Sequence, residues 1–429
     1  MDSVFVDIKE LRVGLFVELD LGWMAHPFPT GSFKITSARQ IETIRGLGIL
    51  KVRVDPQRSD PIADPEVNGQ DSQPESGGSA ASAREVARRL AQQKLSEQAQ
   101  KLSSQQRSLI VCERRFGEAA RQYRRTMELI HSQPKEAAQQ CSSMVNGFVG
   151  EMLSEGESAI RLLTETAGDK AAMHPVNVTI VSLLLGKAMG FSQDDLVDLG
   201  LAAFLHDIGK LELPDRVRWL EENFSAAEFR LHQEHVTHGV HIAQTMGLSR
   251  NVQITIAQHH ELVDGSGFPA HVRGESMGGP ARVLALVNRY DSLCNPNRPG
   301  AALTPHEALS MIFAQQKNRF DGLALSAFIR MMGVYPPGSV VQLVDERYAM
   351  VVSVNSARPL KPRIIVHEPG VPMHEALILD LERERTVGIR RSVKPVALPV
   401  SAMEYLAPRQ RISYFFESVE GASQEPALA

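Results

Sequence analysis

Alternation and helical periodicity divide the chain before any residue chemistry is considered. Residues 4–55 hold short alternating runs (VFVDI, GLFVELDLGW, ILKVRV) around one helical stretch from Ser37 to Leu47, which predicts a small α+β module over 1–56. Residues 57–83 lose nearly all large apolar positions and fill with Pro, Ser, Gly and Asp, the composition of a flexible linker. Over 84–135 the chain is rich in Gln, Arg and Glu, with Val86, Leu90, Ile110 and Phe116 sparsely placed. That pattern predicts long exposed helices, with a coiled-coil homodimer contact as the partner surface. Residues 136–334 keep helical periodicity throughout. From Gly338 the pattern changes to alternating, β-branched runs (SVVQLV, YAMVVSVN, RIIVHE), predicting a small β domain over 335–415 and a disordered tail over 416–429. The expected fold is multidomain and mainly α, a central helical bundle between a small α+β module and a small β domain.

Within the bundle, capping signals mark individual helices. Ser192-Gln-Asp-Asp195 reads as a capping box opening a helix that ends at HDIGK (206–210), with Gly209 as the residue just past its end. Ser225-Ala-Ala-Glu228 opens another, expected to run to Gly247.

Composition narrows the partners. The 429 residues are 43% apolar and 22% charged with a formal net charge of −4, so no basic excess points to a nucleic-acid polymer. No run of about 18 apolar residues predicts a membrane span. The start, MDSVFVDIKELR, has neither the basic nor the apolar region of a signal peptide. Cys112, Cys141 and Cys294 are scattered and odd in number, against a disulfide framework. A cytoplasmic protein is expected.

The candidate chemistry lies in the bundle. Of 14 histidines, eight fall between 174 and 260: His174, His206, His232, His235, His238, His241, His259 and His260. His232, His235, His238 and His241 recur every three residues and drift across a broad helix face, so only some point inward. His232, His238 and His241 read as solvated. The pair His259-His260 instead ends an apolar helix and precedes a glycine-rich turn. Imidazoles and a carboxylate without nearby cysteine suit borderline divalent metals such as Mn, Fe, Co or Ni. Asp207, beside His206, can bridge two ions through its two oxygens. Positions 174, 206–207, 235 and 259–260 supply ligands from different helices, as a site inside a bundle requires. Lys210 adds a cation suited to a reacting anion. Gly265 and Gly267 in DGSGFP allow close backbone approach to a ligand.

Taken together, His174, HDIGK (206–210), HQEHVTHG (232–239), HHELVDGSGFP (259–269) and ARVLALVNRYDSL (281–293) resemble the HD-GYP family, bacterial phosphodiesterases of the HD superfamily that cleave cyclic di-GMP. The resemblance covers roughly residues 150–333. Residues 4–55 resemble a module of unknown function that often precedes this domain. The resemblance implies an HD-type bundle in bacterial second-messenger signalling. It implies metal ligation by His174, His206, Asp207, His235, His259 and His260, with Asp207 and Lys210 catalytic and Lys210 facing the substrate phosphate.

Departures sharpen these expectations. The signature tripeptide is Gly267-Phe268-Pro269, with phenylalanine for the usual tyrosine. Lys170 stands where three-metal members carry glutamate, which predicts two divalent transition-metal ions, Fe or Mn. Asn288 aligns with the family's last metal-binding aspartate and would ligate through its amide oxygen. Asp291 aligns with a substrate contact, and Arg298 lies one position off the substrate-binding arginine. The tyrosine and lysine expected beyond it are absent. Cyclic di-GMP would be hydrolysed to pGpG or GMP. Competing readings are hydrolysis of another cyclic dinucleotide or a guanosine alarmone, and a degenerate member that binds ligand or signalling proteins without turnover.

Overall fold

The alternating runs near the start of the chain do pair as strands. This computed structural model describes residues 4–19, 32–45, 51–56, 58–60, 78–154, 157–164, 170–219, 224–355, 358–384 and 386–418. The chain divides into two compact units, Met1–Arg84 and Glu85–Ala429. In the first, β1 (Val4–Asp7), β2 (Phe16–Glu18), β3 (Ser32–Lys34) and β4 (Lys51–Asp55) form an antiparallel sheet in the order β1-β4-β2-β3. Helix α1 (Ala38–Arg45) buries Ile41 and Ile44 with Val17, Ile35, Val52 and Val54 in a core of its own. Strand β3, three residues long, is too short for alternation to reveal. Residues 58–60 are not a free linker: Asp60 takes the Lys34 ammonium at 2.5 Å, and its backbone oxygen accepts from Arg12. Residues 61–77 lie outside the described residues.

The second unit is mainly helical. Helix α2 (Gly78–Leu129), a single helix of 52 residues, starts within the first unit and continues into the second, followed by α3 (Pro134–Ser154), β5 (Ser158–Leu162) and α4 (Lys170–Ala188). Next come α5 (Gln193–Leu205), α6 (Asp215–Arg218), α7 (Ala226–Gln233), α8 (His235–Met246) and α9 (Arg250–Ala257). Helices α10 (Gly279–Cys294), α11 (Pro305–Gln315) and α12 (Gly322–Met332) complete the bundle. The chain ends with β6 (Val340–Leu343), β7 (Tyr348–Asn355), β8 (Arg363–Val366), β9 (Leu379–Asp380), β10 (Ile389–Ser392), α13 (Val400–Leu406) and β11 (Tyr414–Ser418). Among the described residues no helix is long and apolar enough to cross a membrane.

The capping signals work as their chemistry requires. Ser192 accepts the Asp195 N–H and donates its hydroxyl to Asp195 Oδ2, an N-cap without the expected return bond to the backbone, while Ser225 with Glu228 forms a reciprocal capping box. The helix opened by Ser225 does not run unbroken to Gly247, because Glu234 turns the chain between α7 and α8. Gly247 then closes α8 in the left-handed region, φ 76°.

Three expectations are corrected here. The C-terminal strands do not form a β domain of their own. Strand β5, from before the bundle's first histidine, inserts between β7 and β11 in a seven-stranded sheet ordered β10-β6-β7-β5-β11, with β8 beside β7 and β9 beside β8. All five residues of β5 are buried, including Arg161. Its guanidinium meets Glu417 of β11 at 2.9 Å, while Ser108 of α2 and Ser353 of β7 also donate to that carboxylate. A buried ion pair is best tolerated when its remaining lone pairs and protons are satisfied; Glu417 meets that condition, while Arg161 Nε is buried without a hydrogen-bond partner. Residues 416–418 therefore belong to a strand, while 419–429 lie outside the described residues. The segment over 84–135 is likewise not exposed along its whole length. Its first part is exposed, but Cys112, Phe116, Ala119 and Ala120 of α2 are buried in the unit's main core or beside it.

Candidate metal centre

Five elements deliver the cluster. His174 lies in α4, His206 caps the C-terminal end of α5, and Asp207 stands at the N-cap of a short 3₁₀ turn (Ile208–Glu212) that carries Lys210. His235 starts α8, and His259-His260 follow α9. Helix α5 buries every residue from Leu199 to Leu205, so its end is driven into the core and His206 with it. Gly209 was expected as the residue just past the helix end, but α5 stops at Leu205 and Gly209 lies within the following 3₁₀ turn. It serves packing instead: a Cβ there would stand 2.0 Å from the His235 carbonyl oxygen and 2.4 Å from the Gly239 nitrogen. Only glycine lets the turn carrying Asp207 lie directly on α8.

The ring orientations are set by backbone acceptors. Nδ1 of His206, His235 and His259 each meets the carbonyl three residues earlier, Ala203 at 2.8 Å, His232 at 2.6 Å and Ile256 at 2.6 Å. A carbonyl can only accept, so these Nδ1 atoms carry a proton, and in the neutral ring each Nε2 presents a lone pair. Nδ1 of His174 likewise donates to Asp291 Oδ2 at 2.6 Å. Nε2 of His174 faces Nε2 of His206 at 3.1 Å, and Nε2 of His235 faces Nε2 of His259 at 3.3 Å. Neutral rings held this way aim two lone pairs at each other, which repel unless a cation lies between. Two nitrogens at about 2.1 Å from one ion, at octahedral or tetrahedral angles, stand roughly 3.0–3.4 Å apart.

Asp207 sits between the two pairs. Oδ2 is 3.4 Å from His206 Nε2 and 3.7 Å from His174 Nε2; Oδ1 is 3.6 Å from His235 Nε2 and 3.9 Å from His259 Nε2. Asp207 Oδ1 and His260 Nε2 are buried without a hydrogen-bond partner, an expensive condition that metal ligation would relieve. Two potential ligand groups result, Asp207-His235-His259-His260 and His174-His206-Asp207, with Asp207 in both. The residues fit two divalent ions sharing a carboxylate.

Electrostatics favours the ligating forms. Burial alone would raise the Asp207 pKa, but the Lys210 ammonium at 2.5 Å, with His206 and His235, outweighs it and holds the carboxyl well below its usual range. Burial pushes His235 down to about 4 and holds His259 and His260 well below the ordinary imidazole value. Neutral imidazoles and an ionised carboxylate are what a divalent cation binds.

The other expected site residues are placed as follows. Asn288 is buried on α10, its amide oxygen 3.5 Å from Ser292 Oγ. Asp291, read as a substrate contact, is buried and engaged: Oδ2 takes His174, and Oδ1 takes Asn177 at 3.0 Å and Asn295 at 2.9 Å. It supports a histidine. Gly265 adopts φ 79°, as a turn glycine should. Gly267 was expected to admit a ligand, but a Cβ there would stand 2.5 Å or less from Leu262 N, Glu261 Cα and His260 O, so its smallness packs the loop against its own start. Arg298 is exposed in the turn after α10, and the Lys170 side chain lies outside the described residues. His232, read as solvated, is buried and donates from Nδ1 to the Val217 carbonyl at 2.8 Å, while its own carbonyl orients His235. His241 is exposed and His238 partly so.

Sequence reasoning missed Glu261. Fully buried, it accepts the Ala270 N–H at 2.6 Å and the Val272 N–H at 3.0 Å, pinning the loop that stacks Phe268 on His260 with ring centroids 4.5 Å apart. Its position directly after two candidate ligands was the available signal.

Comparison with known proteins adds the relatives. Residues 152–323 match the HD domain, and residues 3–141 match a domain of unknown function (DUF3391) that extends past the first unit through α2. A cyclic di-GMP phosphodiesterase of Pseudomonas aeruginosa is 25% identical over 375 residues, covering 84% of each chain. Another, from Borreliella burgdorferi, is 24% identical over 192 residues, covering 45% of this chain and 51% of its own length. Among solved structures, an HDG"Y"P protein from Bdellovibrio bacteriovorus covers 76% of this chain and 98% of its own, with a TM-score of 0.40 and 15% identity.

Proposed function

The chain belongs to the HD domain family, in its HD-GYP branch, and from that premise we propose that it is a metal-dependent phosphodiesterase acting on cyclic di-GMP. The observation that carries the reading is the pair of facing Nε2 contacts, 3.1 and 3.3 Å, flanking one carboxylate. Asp207 would be shared between two ions, with His174 and His206 completing one ligand group and His235, His259 and His260 the other. Asn288 offers its neutral amide oxygen. Bound divalent ions, iron or manganese by the borderline character of the donors, supply Lewis acidity toward a phosphodiester and acidify the attacking water.

Because the charged ligand is a single carboxylate among neutral imidazoles, most of the ions' positive charge is left for an anionic substrate. Lys210, ion-paired with Asp207, adds a cation at the same place and takes up charge developing on the phosphoryl oxygens. The backbone bonds to each Nδ1 keep the rings from turning as that charge moves. Hydrolysis joins the water oxygen to phosphorus and breaks a P–O3′ bond, the proton ending on the released 3′ oxygen. One cleavage gives pGpG and a second gives GMP. The exposed first part of α2, with Leu90 and Leu95 each more than half exposed, is the surface we propose for a homodimer contact.

The test is to incubate purified protein with Mn²⁺ or Fe²⁺ and cyclic di-GMP, and in parallel with cyclic GMP-AMP, and resolve the products chromatographically. Formation of pGpG or GMP is expected. No consumption of cyclic di-GMP by protein holding two ions would overturn the reading, and faster cleavage of cyclic GMP-AMP would reassign the substrate.

A further inference from the structure

The carboxylate that orients His174 is itself held by two buried asparagines outside the candidate ligand set. Asn177 stands three residues after His174 on α4, and Asn295 caps the end of α10 four residues after Asp291. Asn177 Nδ2 donates to Asp291 Oδ1 at 3.0 Å and to the Ile412 carbonyl at 2.7 Å, while its oxygen accepts the Tyr414 N–H at 3.0 Å. Asn295 repeats the pattern: Nδ2 donates to Asp291 Oδ1 at 2.9 Å and to the Ile412 carbonyl at 2.9 Å, and its oxygen accepts the Ile412 N–H at 2.8 Å. The backbone partners fix the orientation of both amides, since an N–H can meet only the amide oxygen and a carbonyl only the nitrogen. In each carboxamide both donors and the acceptor are engaged, and all the side chains involved except that of His174 are buried.

We propose that Asn177 and Asn295 are positioning residues of the metal centre, fixing the Asp291–His174 pair by tying it to the backbone of residues 412–414 at the entry to β11. The inference rests on the metal-dependent reading above. Outer partners of a ligating histidine set its tautomer and aim, and their loss typically weakens metal binding about 10- to 100-fold. Here the partners come from the last strand of the chain, so the ion held by His174 and His206 depends on how residues 412–414 are seated. The ion at His235, His259 and His260 has its own backbone acceptors at His232 and Ile256 and does not.

Calorimetric titration of Mn²⁺ into the chelator-stripped full chain, with metal analysis of the product, separates the two ions. Asn295→Asp keeps the shape but puts an acceptor oxygen where Nδ2 donates to Asp291 and to the Ile412 carbonyl. It should weaken one ion by about 10- to 100-fold and leave the other within about threefold of the parent. Tyr290→Phe, which removes the Tyr290–Tyr414 hydroxyl contact at 3.2 Å on the same strand, should leave both ions unchanged. Where Asn295→Asp fails to fold, judged by circular dichroism, Asn177→Ser leaves the Asn295 clamp intact and must show the same one-ion selectivity. Asparagine variants that bind both ions as the parent does, or lose both together, would overturn the inference alone. A parent chain that binds no ion would bring down the metal-dependent reading with it.

Discussion

Replacing Gly209 by alanine probes the closest approach in the candidate centre. The added methyl would stand 2.0 Å from the His235 carbonyl oxygen and 2.4 Å from the Gly239 nitrogen, both main-chain atoms that cannot rotate away. Non-bonded contacts settle near 3.5 Å, so the 3₁₀ turn and α8 must part by about 1 Å or more. Overpacking of a tight core costs about 1–3 kcal/mol, and backbone on both sides puts this case near the upper figure. At about 2.1 cal/mol/K of unfolding entropy per residue, a unit running from Glu85 to Ala429 shifts by roughly 1.4 °C per kcal/mol, so the melting temperature should fall by roughly 4 °C. The same displacement moves Asp207 Oδ1 away from His235 Nε2, now 3.6 Å apart, and a 1 Å misplacement of this kind costs about 100-fold in turnover. Differential scanning calorimetry, metal analysis and product formation on one preparation measure all three effects. Gly150→Ala is the control: its Cβ would meet nothing within 4 Å, so it should be neutral or slightly stabilising. A Gly209→Ala protein melting within about 1 °C of the parent and holding both ions would refute the reasoning.

The remaining predictions concern charge. Lys210→Ala should keep both ions and lose about two orders of magnitude in turnover, and full activity would remove Lys210 from the phosphate. Asn288→Asp should lower the Mn²⁺ concentration giving half-maximal activity; an inactive protein with two tightly held ions would favour a binding role instead. In the metal-free chain, burial lowers the His235 pKa to about 4, while the unfolded chain titrates near 6.5. Between those values the unfolded state takes up a proton that the folded state refuses, so stability is full above about pH 6.5 and falls as pH drops toward 4. His235 alone should cost on the order of 3 kcal/mol across that window, with His259 and His260 adding to it. Urea unfolding of chelator-treated protein at several pH values measures the slope, and a flat profile would contradict it.

What could be read in the sequence was local. The caps at Ser192 and Ser225, the stop at Gly247 and the candidate ligands His206, Asp207, His235, His259 and His260 announce themselves through neighbours within a few residues. What could not be read depends on partners far along the chain. Asp291 meets His174 across 117 positions, and Asn177 meets Ile412 across 235. His232 looked solvated because the four histidines drift across a broad face, whereas its burial comes from the distant Val217 carbonyl that its Nδ1 meets. Gly209 and Gly267 suggested turn freedom or ligand access; their actual constraint, a second segment of backbone pressed against them, leaves no trace in adjacent letters.

The position of β5 has a practical consequence for anyone cutting this gene. A fragment trimmed to the matched residues 152–323 would carry Ser158–Leu162 without β7 or β11, the neighbours that occupy its two edges. The orphaned strand would offer unpaired main chain on both sides and the apolar side chains of Ala159, Ile160 and Leu162 to solvent, a template for sticking to other copies. A clip in the connection between α12 and β6 would do far less, because the two pieces would remain joined through the hydrogen-bonded ladders on either side of β5. The usable expression boundary is therefore past Ser418.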